Sequence, residues 1–397
     1  DGGVFVYNPN PFETDGCVSV GGRCIYAKNV PSLGWTVINP DERIDDVPRV
    51  NGNIAENSLV RIEINASGEL VSVYDKEARR ETVAEGMSAN RLEVYEDYPN
   101  VYDAWEICSY YKQKMWTVDG AESIEPYSDG VRAGFTVKKK YCTSVIEQKI
   151  LLSPNSKRID FETEIDWSED HVLLKAAFPC RVHADKATYE IQFGPIERPT
   201  HTNTSWDEAK FEVCAHKWAD ISEYGYGVSI LNDCKYGYSA EGSTVKLSLL
   251  KCATYPNPKA DRGHHSFVYS MYPHIGGWRE GGTVREAYRL NKPLCAAATE
   301  SHGGALPQSY SFMSCDSENI VIDTVKKAED DDSIIVRLYD AFNAHTSAKI
   351  NVGVPIDEAY ICDNLEREIA KARVENGAVY IDVSNFEIVT LKLRIGK

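Results

Sequence analysis

The sequence of 397 residues has no long apolar run and no basic stripe. No stretch approaches the roughly 18 apolar residues of a membrane-spanning helix, so we expect no membrane partner. Acidic residues outnumber Lys and Arg by 60 to 43, and the one dense basic run is Lys138–Lys140. A surface that follows nucleic-acid phosphates needs clustered positive charge. The sequence therefore also predicts no nucleic-acid partner.

Paired cysteines are missing as well. The eleven cysteines form no CxxC pair, and an odd number with irregular spacing argues against a disulfide framework. Structural zinc needs two close pairs of Cys or His. The adjacent His264 and His265 have no second pair, and neighbouring strand residues point to opposite faces. We predict reduced thiols in a cytoplasmic protein, with no metal site in this chain.

The N-terminus lacks the features of a leader. The segment DGGVFVYNPNPF has neither the charged start nor the apolar centre of a signal peptide. It already has the pattern of a strand and does not begin with Met. We therefore expect residue 1 to lie inside a longer polypeptide.

The dominant period of the sequence is two. In SLVRIEINASGELVSVYD, three apolar residues at 60, 62 and 64 alternate with polar ones, residues 65–68 supply a turn, and a second β-rich run follows. This pattern predicts a β-hairpin. The same alternation occurs at 245–249 and 389–395, whereas helical stripes of three or more turns are rare.

Many short strands separated by Gly, Pro and Asn predict a mostly β fold of packed antiparallel sheets. The polar segment NPDERIDDVPRVNGN reads as a linker, and the acidic run Glu329–Asp332 opens a last group of strands. We predict a small β unit at residues 1–50, a large β domain at 51–316 and a C-terminal β-sandwich at 317–397. Whether the first unit shares sheets with the last is left open.

One stretch combines a Tyr, a Trp and two acids, namely Tyr102, Asp103, Trp105 and Glu106. Sugar-binding sites use such groups, because the C–H face of a sugar stacks on an aromatic ring and carboxylates accept hydroxyl protons. We predict that these residues bind substrate. The competing interpretation is that Trp105 packs in a core or between domains and that Asp103 caps a turn.

A second polar and aromatic stretch is PTHTNTSWD. It adds His201, Asn203, Trp206 and Asp207 to the predicted substrate-binding residues. This stretch either lines a cleft or braces one. No catalytic residue is assigned in this chain.

Several collinear strings resemble glycoside hydrolase family 38, closest to its cytosolic and bacterial branch. They are VYNPNPFETDG, NVPSLGW, ENSLVRIEINASGELVSVYDKEARRE, NRLEVYEDYPNVYDAWE, IERPTHTNTSWDEAKFEVCAHKWADISEYGYGVSILNDCKYGY, LSLLKCATYPNPKADRGHHSFVYSMYPH and IIVRLYDA. The resemblance covers nearly the whole chain. It implies the C-terminal β portion of a zinc-dependent, retaining α-mannosidase that removes terminal α-linked mannose from glycans.

The resemblance also implies where the chemistry lies. In the family, an N-terminal domain holds the zinc ion and both catalytic carboxylates, and a helical domain follows it. We expect these domains, absent here, to be this chain's partners together with a mannose-containing glycan, and we expect the chain alone to be inactive. Assembly into a homo-oligomer is left open.

The fold that the resemblance implies is a galactose-mutarotase-like supersandwich followed by a smaller β-sandwich. It also supports a contact of residues 102–106 with substrate, since relatives carry an Asp-Ala-Trp-acid string there. Two other functions remain open. One is a carbohydrate-binding or mutarotase-like module that acts on its own and needs a His and a Glu in one pocket. The other is a purely structural scaffold.

Overall fold

The computed structural model describes residues 2–300 and 302–396. Strands account for 54% of the chain and helices for 5%, which confirms the predicted mostly β fold. The two α-helices of the described ranges are short, α1 (Ser205–Glu208) and α2 (Thr283–Asn291), and a 3₁₀ turn spans Ser109–Gln113. None of the described helices is long and apolar enough to cross a bilayer.

The strands follow one another through short connections. In chain order they are β1 (Gly3–Asn8), β2 (Thr14–Val20), β3 (Arg23–Val30), β4 (Gly34–Ile38), β5 (Arg49–Asn51), β6 (Ile54–Glu56), β7 (Val60–Ile64), β8 (Leu70–Asp75), β9 (Arg80–Glu81), β10 (Arg91–Glu96), β11 (Met115–Thr117), β12 (Ser123–Ser128), β13 (Ala133–Tyr141), β14 (Ser144–Leu152), β15 (Ile159–Trp167), β16 (Val172–Pro179), β17 (Lys186–Ile191) and β18 (Gly194–Pro199). They continue with β19 (Val213–Cys214), β20 (Trp218–Glu223), β21 (Tyr226–Asn232), β22 (Gly237–Glu241), β23 (Thr244–Lys251), β24 (Gly263–Ile275), β25 (Cys295–Thr299), β26 (Ser309–Ser311), β27 (Met313–Cys315), β28 (Ile320–Lys327), β29 (Ile334–Asp340), β30 (Thr346–Val352), β31 (Ile356–Cys362), β32 (Glu368–Glu375), β33 (Ala378–Val383) and β34 (Ile388–Ile395).

The chain divides into two compact units. The larger comprises residues 44–190 and 196–291, and the smaller comprises 1–43, 191–195 and 292–397. The predicted domain boundaries at 50 and 316 stay predictions.

Two large sheets form the larger unit, together with a five-stranded sheet of β5–β9. Their strand orders are β12-β13-β14-β15-β24-β21-β20-β17-β18 and β11-β10-β16-β23-β22-β19. One apolar core joins side chains from both sheets. Phe161 of β15 contacts Phe178 of β16 with ring centroids 5.9 Å apart, and each buried Phe contributes roughly 1.5–3 kcal/mol.

The smaller unit has sheets of its own. Its eight-stranded sheet has the order β27-β30-β33-β32-β31-β34-β29-β28, and its core includes Ile350 of β30, Ile381 of β33 and Leu391 of β34. Strands β1 and β4 pair with each other, within a four-stranded sheet of order β25-β1-β4-β26.

The period-two pattern marks real strands. Strands β7 and β8 form the predicted hairpin, with Val60, Ile62 and Ile64 buried and the residues between them half-buried. The Asn65 side chain accepts a hydrogen bond from the Ser67 N–H at 2.9 Å, which fixes the turn. The predicted strands at 245–249 and 389–395 are also present, as parts of β23 and β34.

Candidate functional site

The first predicted stretch lies on the long connection between β10 and β11, which are antiparallel neighbours. This connection, residues 97–114, is defined here as the aromatic loop. Loops longer than about 12–15 residues are uncommon in compact domains and are often functional. Two of its side chains, Ile107 and Tyr111, pack in a small apolar cluster with Tyr95, Leu173 and Phe211.

Two acids anchor the aromatic loop to a distant part of the chain. The Lys251 ammonium lies 2.5 Å from the Asp97 carboxylate and 2.7 Å from the Asp103 carbonyl oxygen. The Asp103 carboxylate accepts hydrogen bonds from the backbone N–H groups of Thr254 at 2.7 Å and Tyr255 at 3.1 Å. The carboxylate of Asp103 is therefore used mainly to hold the loop.

An imidazole supports the same region. The ring of His171 stacks on Tyr98 with centroids 4.1 Å apart, and its Nδ1 lies 3.5 Å from the Asp103 carboxylate. The Tyr110 hydroxyl donates to the Tyr98 carbonyl at 2.8 Å. The loop is thus fixed from several sides.

The two anchoring acids have pKa values that move in opposite directions. Burial raises the pKa of Asp97 above its ordinary value, although Lys251 acts against the shift. Burial would also raise the pKa of Asp103, but the hydrogen bond from the Thr254 amide and the charge of His171 outweigh it and lower that pKa. Asp103 is accordingly held as a carboxylate.

On this fixed base the loop presents aromatic rings to solvent. The side chains of Tyr102 and Trp105 are each 65% exposed, and their rings meet edge to face at 6.5 Å. The Tyr102 carbonyl accepts from the N–H of Trp105 at 2.7 Å and of Glu106 at 2.9 Å, which closes a tight turn. Exposed aromatic groups held rigidly are a usual mark of a binding surface.

The second predicted stretch surrounds helix α1. The Thr204 hydroxyl caps this helix by accepting from the Asp207 N–H at 3.2 Å, and it donates to the Asp207 carboxylate at 2.8 Å. His201 accepts weakly from the Asn203 N–H at 3.4 Å. The predicted residues His201, Asn203 and Asp207 therefore make contacts within their own stretch. Trp206 is 81% exposed.

The aromatic loop meets the six-stranded sheet through residues that the sequence reasoning missed. Tyr111 of the aromatic loop donates to the carboxylate of Glu212 at 2.5 Å, and Glu212 pairs with the fully buried Lys175 of β16. Lys175 also donates to the Ser239 hydroxyl at 2.8 Å. Burial lowers the pKa of Lys175, and Glu212 opposes that shift. The sequence does contain one indication of this buried pair, namely a lysine inside the apolar run VLLKAAFP.

A cavity of about 400 Å³ lies beside this buried pair. Its lining includes Ile107, Leu173, Glu212, Tyr236, Ser248 and Lys251. No histidine belongs to its described lining, so it lacks the His and Glu pair that a mutarotase-like active site needs.

The histidines at 264 and 265 lie apart from this region and face different partners. The His264 ring nitrogens lie 2.9 Å from Glu164 and 2.9 Å from Asp166, while His265 contacts the carbonyl oxygen of Asp261 at 2.8 Å. Within residues 2–300 and 302–396, no three His, Cys, Asp or Glu side chains come together as a metal ion requires. The nine cysteines at 108, 142, 180, 214, 234, 252, 295, 315 and 362 are free thiols.

Comparisons with known proteins agree on one family. The family model described as "Glycosyl hydrolases family 38 C-terminal domain" matches residues 55–259. The model described as "Glycosyl hydrolases family 38 C-terminal beta sandwich domain" matches residues 319–391.

Curated relatives extend this similarity over nearly the whole chain. Alpha-mannosidase 2C1 of Homo sapiens is 34% identical over 98% of this chain and 40% of its own length. Alpha-mannosidase G of Dictyostelium discoideum is 35% identical over 97% of this chain and 36% of its own. The chain thus spans well under half the length of these relatives.

A solved structure supports the fold. An alpha-mannosidase from Enterococcus faecalis V583 superposes with a TM-score of 0.80 over 98% of this chain and 56% of that one, at 15% identity. At that identity the likeness concerns the fold alone.

Proposed function

The chain belongs to glycoside hydrolase family 38, and from this premise we propose that it is the C-terminal β portion of a zinc-dependent, retaining α-mannosidase. In this proposal the whole enzyme hydrolyses terminal α-linked mannose from glycans, and the zinc ion and both catalytic carboxylates lie in a domain outside residues 1–397. Two observations support it. Both matching family models describe C-terminal domains, and the human relative is two and a half times as long as the part that this chain matches.

The residues of this chain do not fit the zinc ion, because the described part contains no set of three ligands. No step of the reaction is therefore assigned to zinc through these residues. Retaining hydrolysis needs a nucleophile and an acid/base carboxylate about 5–5.5 Å apart. We assign neither to this chain, whose role in the proposal is to bind and orient the sugar.

The observation that carries this role is the fixed turn with two exposed rings. Trp105 and Tyr102 offer apolar faces on which the C–H face of a mannose ring can stack. The exposed Glu106 carboxylate can accept hydrogen bonds from sugar hydroxyls. Asp103 acts as a positioning residue, because one oxygen of its carboxylate accepts from the amides of both Thr254 and Tyr255.

Trp105→Ala in the full-length enzyme tests this proposal. We expect kcat/KM for α-mannosides to fall, by an amount that corresponds to about 1–3 kcal/mol of lost transition-state stabilisation. The melting temperature should stay unchanged. Tyr224→Ala is the control, since Tyr224 is a fully exposed aromatic residue in a different turn, and its kinetics should match wild type. Unchanged kinetics together with lower stability in Trp105→Ala would assign Trp105 to packing.

The scaffold function is the second candidate. It is favoured by Asp103 and Asp207, whose carboxylates are occupied by contacts within the chain. A scaffold predicts that Trp105→Ala changes stability alone, so the same kinetic experiment separates the two functions.

A further inference from the structure

A cavity of about 540 Å³ opens beside the hairpin of β8 and β9 in the larger unit. It is lined by Tyr74, Arg79, Arg80, Glu81 and Arg181, and these five residues define the arginine pocket. Three arginines around one cavity are unexpected in a chain with a net charge of −17.

The one acid in the lining, Glu81, accepts hydrogen bonds from the backbone. One oxygen of the Glu81 carboxylate accepts from the N–H groups of Val73 at 2.7 Å and of Thr82 and Val83 at 3.0 Å. The other accepts from the Ser72 hydroxyl at 2.6 Å. Glu81 therefore fixes the hairpin, and its hydrogen-bonding capacity is largely used.

The Arg80 side chain also has partners within the protein. Its guanidinium donates to the Glu223 carboxylate at 2.8 Å and to the Arg181 carbonyl at 2.6 Å, and it lies over the Tyr226 ring at 4.2 Å. Glu223 in turn accepts from the His183 N–H at 2.8 Å. Arg80 thus serves as a support for the pocket wall.

The other two guanidinium groups are unpaired. In the described part of the chain, the side chains of Arg79 and Arg181 have no hydrogen-bond or ion-pair partner, and both residues are exposed. Their backbones are nevertheless held. The Arg181 N–H donates to the Thr82 carbonyl at 2.7 Å, and the Asp75 carboxylate accepts at 3.0 Å from the N–H of Ala78, just before Arg79.

Guanidinium groups bind oxyanions strongly, because their planar fork of N–H donors matches the two oxygens of a carboxylate or phosphate. We propose that the arginine pocket binds a small oxyanion of the phosphate or carboxylate kind, with Arg79 and Arg181 as its ligands. The Tyr74 hydroxyl, in the same lining, is a further donor. A cavity of this volume is within the range that admits a hexose-sized ligand, so the oxyanion can be free or carried by a sugar. This site is separate from the exposed rings of the aromatic loop and does not depend on the function proposed for them.

Titration calorimetry of the 397-residue chain tests the site. The ligands are inorganic phosphate, a hexose phosphate, a hexuronate and the neutral hexose. We expect saturable binding of at least one anion that weakens with added salt, and no binding of the neutral hexose. Tighter binding of the hexose phosphate than of phosphate identifies a sugar-borne anion, and equal binding identifies the oxyanion alone. Absence of saturable binding for all anions at about 10 mM, where even weak sites fill, overturns the proposal.

Matched variants assign the ligands. Arg79→Ala and Arg181→Ala should each weaken anion binding about tenfold or more, as expected for lost charge-assisted bonds. Arg49→Ala removes an exposed arginine outside the pocket and should leave binding unchanged. Arg181→Lys should recover part of the affinity, since lysine supplies charge without the fork. Melting curves check that each variant folds, and equal losses in Arg49→Ala and the pocket variants would overturn the proposal.

Discussion

At the residue scale, Asp103 shows that a predicted sugar ligand can also have structural contacts that the sequence does not reveal. The sequence places this acid between two aromatic residues, which suggests a substrate contact. In the structure its carboxylate accepts from the amides of Thr254 and Tyr255. Nothing in the local sequence around residue 103 identifies these partners, because they lie some 150 positions further along the chain.

Asp103→Asn should destabilise the protein at neutral pH by about 1–3 kcal/mol, because an amide is a weaker acceptor for those N–H groups. The lowered pKa of Asp103 means that its stabilising effect is present above the unfolded value near 3.9 and is lost as pH falls through the folded pKa. The difference between variant and wild type in urea unfolding should therefore shrink below about pH 4. Glu106→Gln is the control, because it changes an exposed carboxylate of the same turn. It should change the free energy of unfolding by less than about 0.5 kcal/mol. A pH-independent difference for Asp103→Asn would show that the negative charge of Asp103 does not stabilise the fold.

The buried pair of Lys175 and Glu212 gives a second prediction. Lys175→Met leaves a carboxylate without its cation beneath the aromatic loop, and we expect a loss of about 3–5 kcal/mol in the free energy of unfolding. Lys112→Met removes an exposed ion pair with Glu241 and should cost about 0–1 kcal/mol. Similar losses in the two variants, measured by denaturant unfolding, would show that the buried charge of Glu212 is not compensated by Lys175.

At the element scale, the strands were predictable where one face is buried and the other is wet. Alternation in β7 and in the first part of β23 reports that arrangement directly. The order of strands in the large sheets was not predictable, since β15 pairs with β24 and β16 with β23, far apart along the chain. The shape of the aromatic loop was equally hidden, because Lys251 and Thr254 impose it from outside.

Two hairpin glycines test the packing of these elements. Gly68 has φ +70°, and a Cβ there would lie 2.4 Å from Val137, whereas Gly52 has φ +61° with open space around it. Both Gly→Ala changes place an alanine in a left-handed conformation, which lowers the free energy of unfolding by about 1 kcal/mol. Gly68→Ala should cost about 1–3 kcal/mol more, because it also overpacks the core. Equal melting temperatures for the two variants would contradict the contact between this turn and β13.

At the scale of the whole molecule, the chain is a mostly β part of a family 38 protein, with two compact units. The family was accessible from collinear strings in the sequence. The division into two units was harder to predict from the sequence. The smaller unit combines residues 1–43, 191–195 and 292–397, which no local sequence pattern connects. The cytoplasmic location, the partners and the eight predicted substrate-binding residues stay predictions.

We propose that this chain supports catalysis without performing it. Hydrolysis needs a nucleophile, an acid/base group and a bound sugar in one preorganised site, and exposed residues such as Trp105 add binding only to a site that exists. The direct test is to assay the purified chain with an aryl α-mannoside and added zinc or cobalt, alone and after mixing with a separately produced N-terminal part. We predict no turnover by the chain alone and turnover only when the N-terminal part is present. Turnover by the chain alone that is abolished by mutating one of its own acids would show that a catalytic carboxylate lies in this chain.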